Sequence, residues 1–200
     1  FKYCFLKATG MEFQEDKLED DFQKMSDVLL RSSSATFMYR DFQSRNVMIK
    51  DGEPWFIDFQ GGRKGPFYYD IASFLWQAKA KYPDSLRQEL LQEYIEALRK
   101  YQPIDEPYFY SQLRHFVLFR TLQVLGAYGF RGYFEKKPHF IQSVPYAIGN
   151  LRELLKEEYP EYPYPEVIGY VNNDDGTLTL KVQAVFPYRG VSKAYIHEVT

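Results

Sequence analysis

The sequence predicts an α+β fold in which helices dominate. Three observations carry that expectation. Apolar residues recur at helical spacing in residues 17–31, 85–98 and 145–155, and residues 108–125 are apolar almost all round. One strong hairpin signal, Asp51-Gly52, stands between Val47–Lys50 and Pro54–Phe59. β-Prone alternation returns only near the end, from Thr177 to Phe186.

The first helix is expected over residues 17–31, with Leu18, Phe22, Met25, Val28 and Leu29 on one stripe and Ser32-Ser33-Ser34 ending it. The acidic run from Glu15 to Asp21 then reads as its solvated face. Ala35 to Tyr39 is short and apolar and suits a buried strand. Residues 61–66, Gly-Gly-Arg-Lys-Gly-Pro, read as an irregular loop. Asp70 suits the start of a helix near Ile71. Ser85 to Gln88 fits a capping box, followed by Leu90, Leu91, Tyr94, Ile95 and Leu98 at helical spacing. Pro145 fits the first turn of a helix containing Ile148, Leu151, Leu154 and Leu155.

Near residue 159 the texture changes. Tyr159 to Pro165 alternates Pro with Tyr and cannot hold a helix, and Asn172 to Gly176 is a turn cluster. Thr177–Phe186 is expected as a strand, with Ala194–Thr200 as a pairing partner. The division expected from this is a first domain over 1–158 and a linker with a short, unassigned β-rich tail over 159–200.

Bulk composition narrows the function. The chain has 200 residues and a net charge of −2, from 25 basic and 27 acidic side chains. That balance gives no general attraction to nucleic acid or to an anionic membrane. Apolar runs are too short to span a bilayer, and no signal peptide is visible. Cys4 is the lone cysteine, so a reducing, cytoplasmic setting is expected. With 18 Tyr, 17 Phe and 2 Trp, aromatic side chains are expected to fill the core with hydroxyls reaching the surface.

One stretch carries chemistry: Tyr39-Arg40-Asp41-Phe42-Gln43-Ser44-Arg45-Asn46, then Ile57-Asp58-Phe59-Gln60. Phosphoryl transfer from ATP needs a carboxylate to orient and deprotonate the attacking hydroxyl. It also needs hard oxygen donors that hold Mg²⁺ on the phosphates. An Asp followed five residues later by Asn supplies a base and one metal ligand. A hairpin then returns a second Asp to the same end. Asp41 fits the base; Asn46 and Asp58 fit the metal ligands. Protein kinases write the same order as H-R-D-x-x-x-x-N followed by D-F-G.

Those strings resemble the aminoglycoside phosphotransferase and choline kinase superfamily. Arg40-Asp-Phe-Gln-Ser-Arg-Asn-Val-Met48 and Ile57-Asp-Phe-Gln-Gly-Gly62 are most similar to the branch of bacterial anomeric kinases of cell-wall amino sugars. Tyr69-Asp-Ile-Ala-Ser-Phe-Leu75 also matches, and Gly126–Gly132 with Lys137–Phe140 is similar to further bacterial members. The resemblance runs over about residues 1–158. It implies a protein-kinase-like C-terminal lobe, ATP as co-substrate, Mg²⁺ as cofactor, and a small-molecule acceptor, with a sugar or amino sugar first. It also implies Arg40 and Asp70 as supports of the active-site loop. The N-terminal lobe, with its phosphate-covering loop and lysine, is expected outside this chain. Tyr39 stands where the family usually has His, and Gln60 where protein kinases have Gly.

Each residue also has a plainer reading. Alone, Asp41 would be a solvated loop carboxylate; in register with Asn46 and Asp58 it reads as the base. Arg63 and Lys64 read first as a solvated loop and second as a phosphate or sugar contact, and Arg45 is a further candidate for such contact. Gly126, Gly129 and Gly132 follow a buried helix rather than a strand, so they read as close packing and not as a phosphate loop. His115 reads as a core histidine; His139 and His197 have no partner at metal spacing. The alternative function is a non-catalytic lobe relic that serves as a binding module.

Overall fold

The computed structural model describes residues 1–156 and the backbone of two strands, Tyr164–Asn172 and Leu178–Val185. In chain order the elements are α1 (Glu15–Leu29), β1 (Thr36–Met38), β2 (Val47–Lys50), β3 (Glu53–Phe56) and β4 (Arg63–Gly65). There follow α2 (Tyr68–Leu75), α3 (Asp84–Arg99), α4 (Glu106–Gly129), α5 (Pro138–Ile141), α6 (Val144–Leu154), β5 (Tyr164–Asn172) and β6 (Leu178–Val185). Helices dominate and the strands pair antiparallel in twos, which is the α+β class expected. Contacts divide the chain into two compact units, Leu29–Arg120 and Phe1–Val28 with Thr121–Thr200.

In the unit Leu29–Arg120, α2 is the centrepiece. Tyr68, Ile71, Ala72 and Leu75 lie at i, i+3, i+4 and i+7, and all four are buried. The Tyr68 ring lies 5.3 Å from Phe109 and 5.2 Å from Phe116 on α4. Tyr94 on α3 donates its hydroxyl to the Phe67 carbonyl at 2.8 Å. Each fully buried apolar side chain here stabilises by roughly 1.5–3 kcal/mol, so α2 is a firm platform. The expected capping box does not form: α3 begins at Asp84 after Pro83, and Ser85 lies inside the first turn. Pro83 stands at the cap position in extended backbone instead, and Asp84 pairs with Arg87 at 2.6 Å.

The hairpin β2–β3 turns at Asp51 and Gly52, with φ of 54° and 83°. Two positive φ values match the twist of the strands, and Gly takes the second without a Cβ clash. Two expectations are corrected nearby. Residues 63–65 are a strand, because Arg63, Lys64 and Gly65 pair antiparallel with Met38, Phe37 and Thr36. Thr36 Oγ1 also donates to the Gly65 carbonyl at 2.6 Å. The β1 strand is not buried: a two-stranded sheet has two open faces, and Phe37 is 67 % exposed.

In the other unit, α1 buries Asp21, Met25 and Val28, at i, i+4 and i+7. The acidic run is therefore not wholly a solvated face. Asp21 is only 8 % exposed because it occupies a position of the core stripe. Glu15 and Glu19, one turn apart, both accept from Lys2, the former at 3.0 Å. The three glycines after α4's buried stretch act by packing. A Cβ on Gly129 would meet the Cys4 carbonyl oxygen at 1.9 Å, and one on Gly126 would meet the Phe1 nitrogen at 2.7 Å. One on Gly132 would meet Ile141 Cδ1 at 2.2 Å. The helix α6 starts with Pro in its first turn and buries Val144, Ala147, Ile148 and Leu151. The strand β6 pairs with β5 in the backbone, register shifting between Val167 and Gly169; the proposed partner Ala194–Thr200 lies outside the described residues. Among the described residues no helix is long and apolar enough to cross a membrane.

Two predictions test this packing. Gly129→Ala should destabilise by about 1–3 kcal/mol, because the obstructing atom is backbone and cannot step aside. Gly149→Ala, in α6 with open space around it, should stabilise by about 0.5–1 kcal/mol. Urea unfolding of both variants should show opposite signs.

Burial pushes the Asp21 carboxyl up to about 6, opposed by Lys24 and reinforced by Asp20. An unfolded aspartate titrates near 3.9. Between about pH 4 and pH 6 the folded state therefore holds the extra proton. Stability is full below that window and falls as pH rises through it. The loss should be on the order of 1 kcal/mol, after allowing for screening by solvent. Asp21→Asn should abolish this slope in unfolding experiments; an unchanged slope would refute the assignment.

Candidate active site

The site is built from residues 39–46, residues 57–58 and α2, all within Leu29–Arg120. Asp70 lies in the first turn of α2, three residues later than a cap. Its carboxylate accepts the Tyr39 N–H at 2.6 Å and the Arg40 N–H at 2.9 Å. Burial pushes the Asp70 carboxyl above its ordinary value, against the pull of those two N–H groups and of Arg120. Arg40 adopts φ 76°, a left-handed conformation that costs a non-glycine residue about 1–2 kcal/mol. Its guanidinium donates to the Gly61 carbonyl at 3.2 Å.

Past Arg40 the chain turns so that Asp41 and Asn46 meet. Asn46 is 2 % exposed. Its amide nitrogen donates to the Asp41 carbonyl at 2.8 Å and to Asp41 Oδ2 at 3.0 Å. Both amide hydrogens are thereby engaged, and Oδ1 is the atom of Asn46 suited to a cation. Gln43 donates to Asp41 Oδ1, and Arg45 reaches Oδ2 at 3.3 Å. The Asp41 carboxylate is thus held from three sides.

The hairpin returns Asp58. Ile57 N–H donates to the Asn46 carbonyl at 3.1 Å, and the Tyr39 hydroxyl donates to the Ile57 carbonyl. Ile57 is bracketed, and Asp58 follows with φ 62° and an exposed side chain. Rings seal the same junction: Phe42 lies 4.8 Å from Phe74, 6.1 Å from Phe56 and 5.7 Å from Tyr39. Burial raises the Tyr39 hydroxyl pKa, and Asp58, Asp41 and Asp70 raise it further, so all three carboxylates act on one group.

The structure thus brings Arg40, Asp41, Arg45, Asn46, Asp58 and Asp70 together around one loop. Arg63 stands opposite Met38 in the neighbouring sheet, exposed. Sequence reasoning passed over Gln43, Phe74 and Gln77, which all touch this loop. Only Gln43, two residues from Asp41, had a local signal.

Asn46 Oδ1 and the Asp58 carboxylate are hard oxygen donors, the class Mg²⁺ takes. Among the described residues no group of three His, Cys, Asp or Glu side chains is placed to hold a metal. Two protein oxygens, completed by phosphate and water, are the pattern that fits Mg²⁺. The hairpin beside the site is apolar and open on both sides: Met48 and Trp55 share one face, Ile49 and Phe56 the other, and all four are exposed, Ile49 at 70 %.

Comparison with known proteins agrees with the motif reading. Residues 9–104 match the phosphotransferase enzyme family. Residues 143–200 match a family of unknown function (DUF6070). The chain is 29 % identical over 130 residues to an N-acetylmuramate/N-acetylglucosamine kinase of Neisseria meningitidis serogroup B, covering 64 % of this chain and 39 % of that protein. It is 27 % identical over 142 residues to the kinase of that name from Pseudomonas aeruginosa, covering 68 % and 42 %. The Pseudomonas putida kinase of that name is 24 % identical over 155 residues, covering 74 % and 45 %. The chain thus spans about two fifths of the length of the curated relatives it matches. It resembles the aminoglycoside phosphotransferase-like superfamily, in the cell-wall amino-sugar kinase branch.

Proposed function

We propose that this chain supplies the catalytic lobe, about residues 1–158, of an ATP- and Mg²⁺-dependent phosphotransferase that moves the γ-phosphate to a hydroxyl of a sugar or amino sugar. The observation that carries the reading is the tie between Asp41 and Asn46, with Asp58 returned beside them by the Ile57–Asn46 hydrogen bond.

In this reading Asp41 orients the acceptor hydroxyl and takes its proton on a carboxylate oxygen as the hydroxyl oxygen attacks the γ-phosphorus and the bond to the bridging oxygen breaks, releasing ADP. Asn46, Gln43 and Arg45 fix the carboxylate before substrate arrives, which lowers the cost of orientation. Asn46 Oδ1 and Asp58 hold the Mg²⁺, which when bound neutralises charge on the phosphates. The Arg45–Asp41 pair is exposed, with Arg45 at 69 %, and such pairs contribute only ~0–1 kcal/mol. Arg45 is therefore free to turn to a phosphate at little cost. The open apolar side chains of the β2–β3 hairpin offer a surface on which a nucleotide-covering lobe would pack. The amino-sugar acceptor rests on the names of those relatives. The reducing, cytoplasmic setting rests on the lone Cys4.

The test is transfer from ATP to N-acetylglucosamine by the full-length protein that contains this chain. Asp41→Asn should cut turnover by about 100-fold or more while nucleotide binding stays nearly constant. Asp58→Ala should raise the Mg²⁺ requirement more than Asn46→Ala, because it removes a charge. Near-normal turnover in Asp41→Asn would sink the reading, and absence of transfer to any sugar would favour the binding-module relic.

A further inference from the structure

The loop that holds Asn46 has a second anchor, far from it in sequence. Ser44 opens the short 3₁₀ turn Ser44–Asn46, and the preceding Gln43 makes no side-chain cap. The first N–H groups of such a turn have no partner within it. Gln77 supplies one: its Oε1 accepts the Ser44 N–H at 3.2 Å and the Ser44 hydroxyl at 3.1 Å. A backbone N–H can only donate, so the atom facing it is the amide oxygen.

Gln77 is itself held in place. Its N–H donates to the Phe74 carbonyl at 3.4 Å, and its carbonyl accepts the Ala80 N–H at 3.0 Å. It stands two residues beyond the end of α2, the helix that carries Asp70 and Phe74. Asp70 grips residues 39 and 40, Phe74 stacks on Phe42 at 4.8 Å, and Gln77 grips Ser44. The helix α2 and the turn that follows it therefore contact residues 39–40, 42 and 44 of the loop. Gln77's contact is the one nearest Asn46, which follows Ser44 by two residues.

We propose that Gln77 is a positioning residue for the metal-binding amide. By capping Ser44 it fixes the turn that presents Asn46 Oδ1, and so sets part of the affinity for the divalent cation. This rests on the phosphotransferase reading of Asn46 and Asp58. Gln77 touches neither acceptor nor nucleotide in this role; it acts through Ser44 and the turn.

The experiment uses the full-length protein with three substitutions. Gln77→Met keeps the length and loses the acceptor. Gln77→Glu keeps an acceptor oxygen in the same place. Asp58→Ala removes a metal ligand directly. Amide exchange at Ser44 is read without metal, melting temperature reports the fold, and Mn²⁺ uptake in the presence of ATP is read by electron paramagnetic resonance. In Gln77→Met, Ser44 exchange should quicken and Mn²⁺ affinity should fall about 5-fold, the order expected for one net hydrogen bond. Gln77→Glu should restore both, and melting should stay within a few degrees in each. Unchanged Mn²⁺ affinity in Gln77→Met, with a clear loss in Asp58→Ala, would overturn the role of Gln77 alone. Unchanged affinity in Asp58→Ala as well would overturn the metal reading on which it rests.

Discussion

The site depends on one carboxylate taking two backbone N–H groups. Asp70 accepts from Tyr39 and Arg40, and this lets Arg40 stay in a left-handed conformation that its side chain disfavours. The magnitudes decide the outcome. The left-handed residue costs about 1–2 kcal/mol, whereas hydrogen bonds to a charged group contribute about 1.5–3 kcal/mol each. Burial of Asp70 takes back part of that gain, as the upward push on its carboxyl shows. Because Asp70 belongs to a helix whose opposite residues are packed into an aromatic core, the loop inherits the rigidity of that core.

The two oxygen donors next to this loop differ in environment. Asn46 is buried and its nitrogen is committed to Asp41, so its orientation is fixed by the protein alone. Asp58 is exposed and held only through its backbone neighbour Ile57. A neutral amide can be buried once its hydrogens are satisfied. A carboxylate without a partner cannot, and stays near water. The open aromatic and aliphatic side chains of β2–β3 stand beside this donor pair.

Much of this was legible in the sequence, and what was not has a common cause. Helical stripes, the Asp51-Gly52 turn and the spacing from Asp41 to Asn46 are local patterns, and all appear where local rules put them. The β4 strand was missed because its Gly-rich sequence has no strand propensity; its pairing with β1 decides it. The β5–β6 pairing was missed for a similar reason, since Pro and Tyr masked the first strand. Asp21 was misplaced because a charge in an acidic run looks solvated, although its register with Met25 and Val28 already put it on the buried stripe. Gln77 lies 33 residues from Ser44 and has no periodic signature at all.

The most direct test concerns the Asp70 anchor. Amide hydrogen exchange should be followed in the 200-residue chain and in its Asp70→Ala variant, with Val117 inside α4 as the reference for global stability. The account predicts that exchange at Tyr39 and Arg40 quickens by about 10-fold or more, since each loses a charge-assisted bond, while Val117 keeps its protection. Unchanged exchange at Tyr39 and Arg40 with Val117 still protected would contradict it.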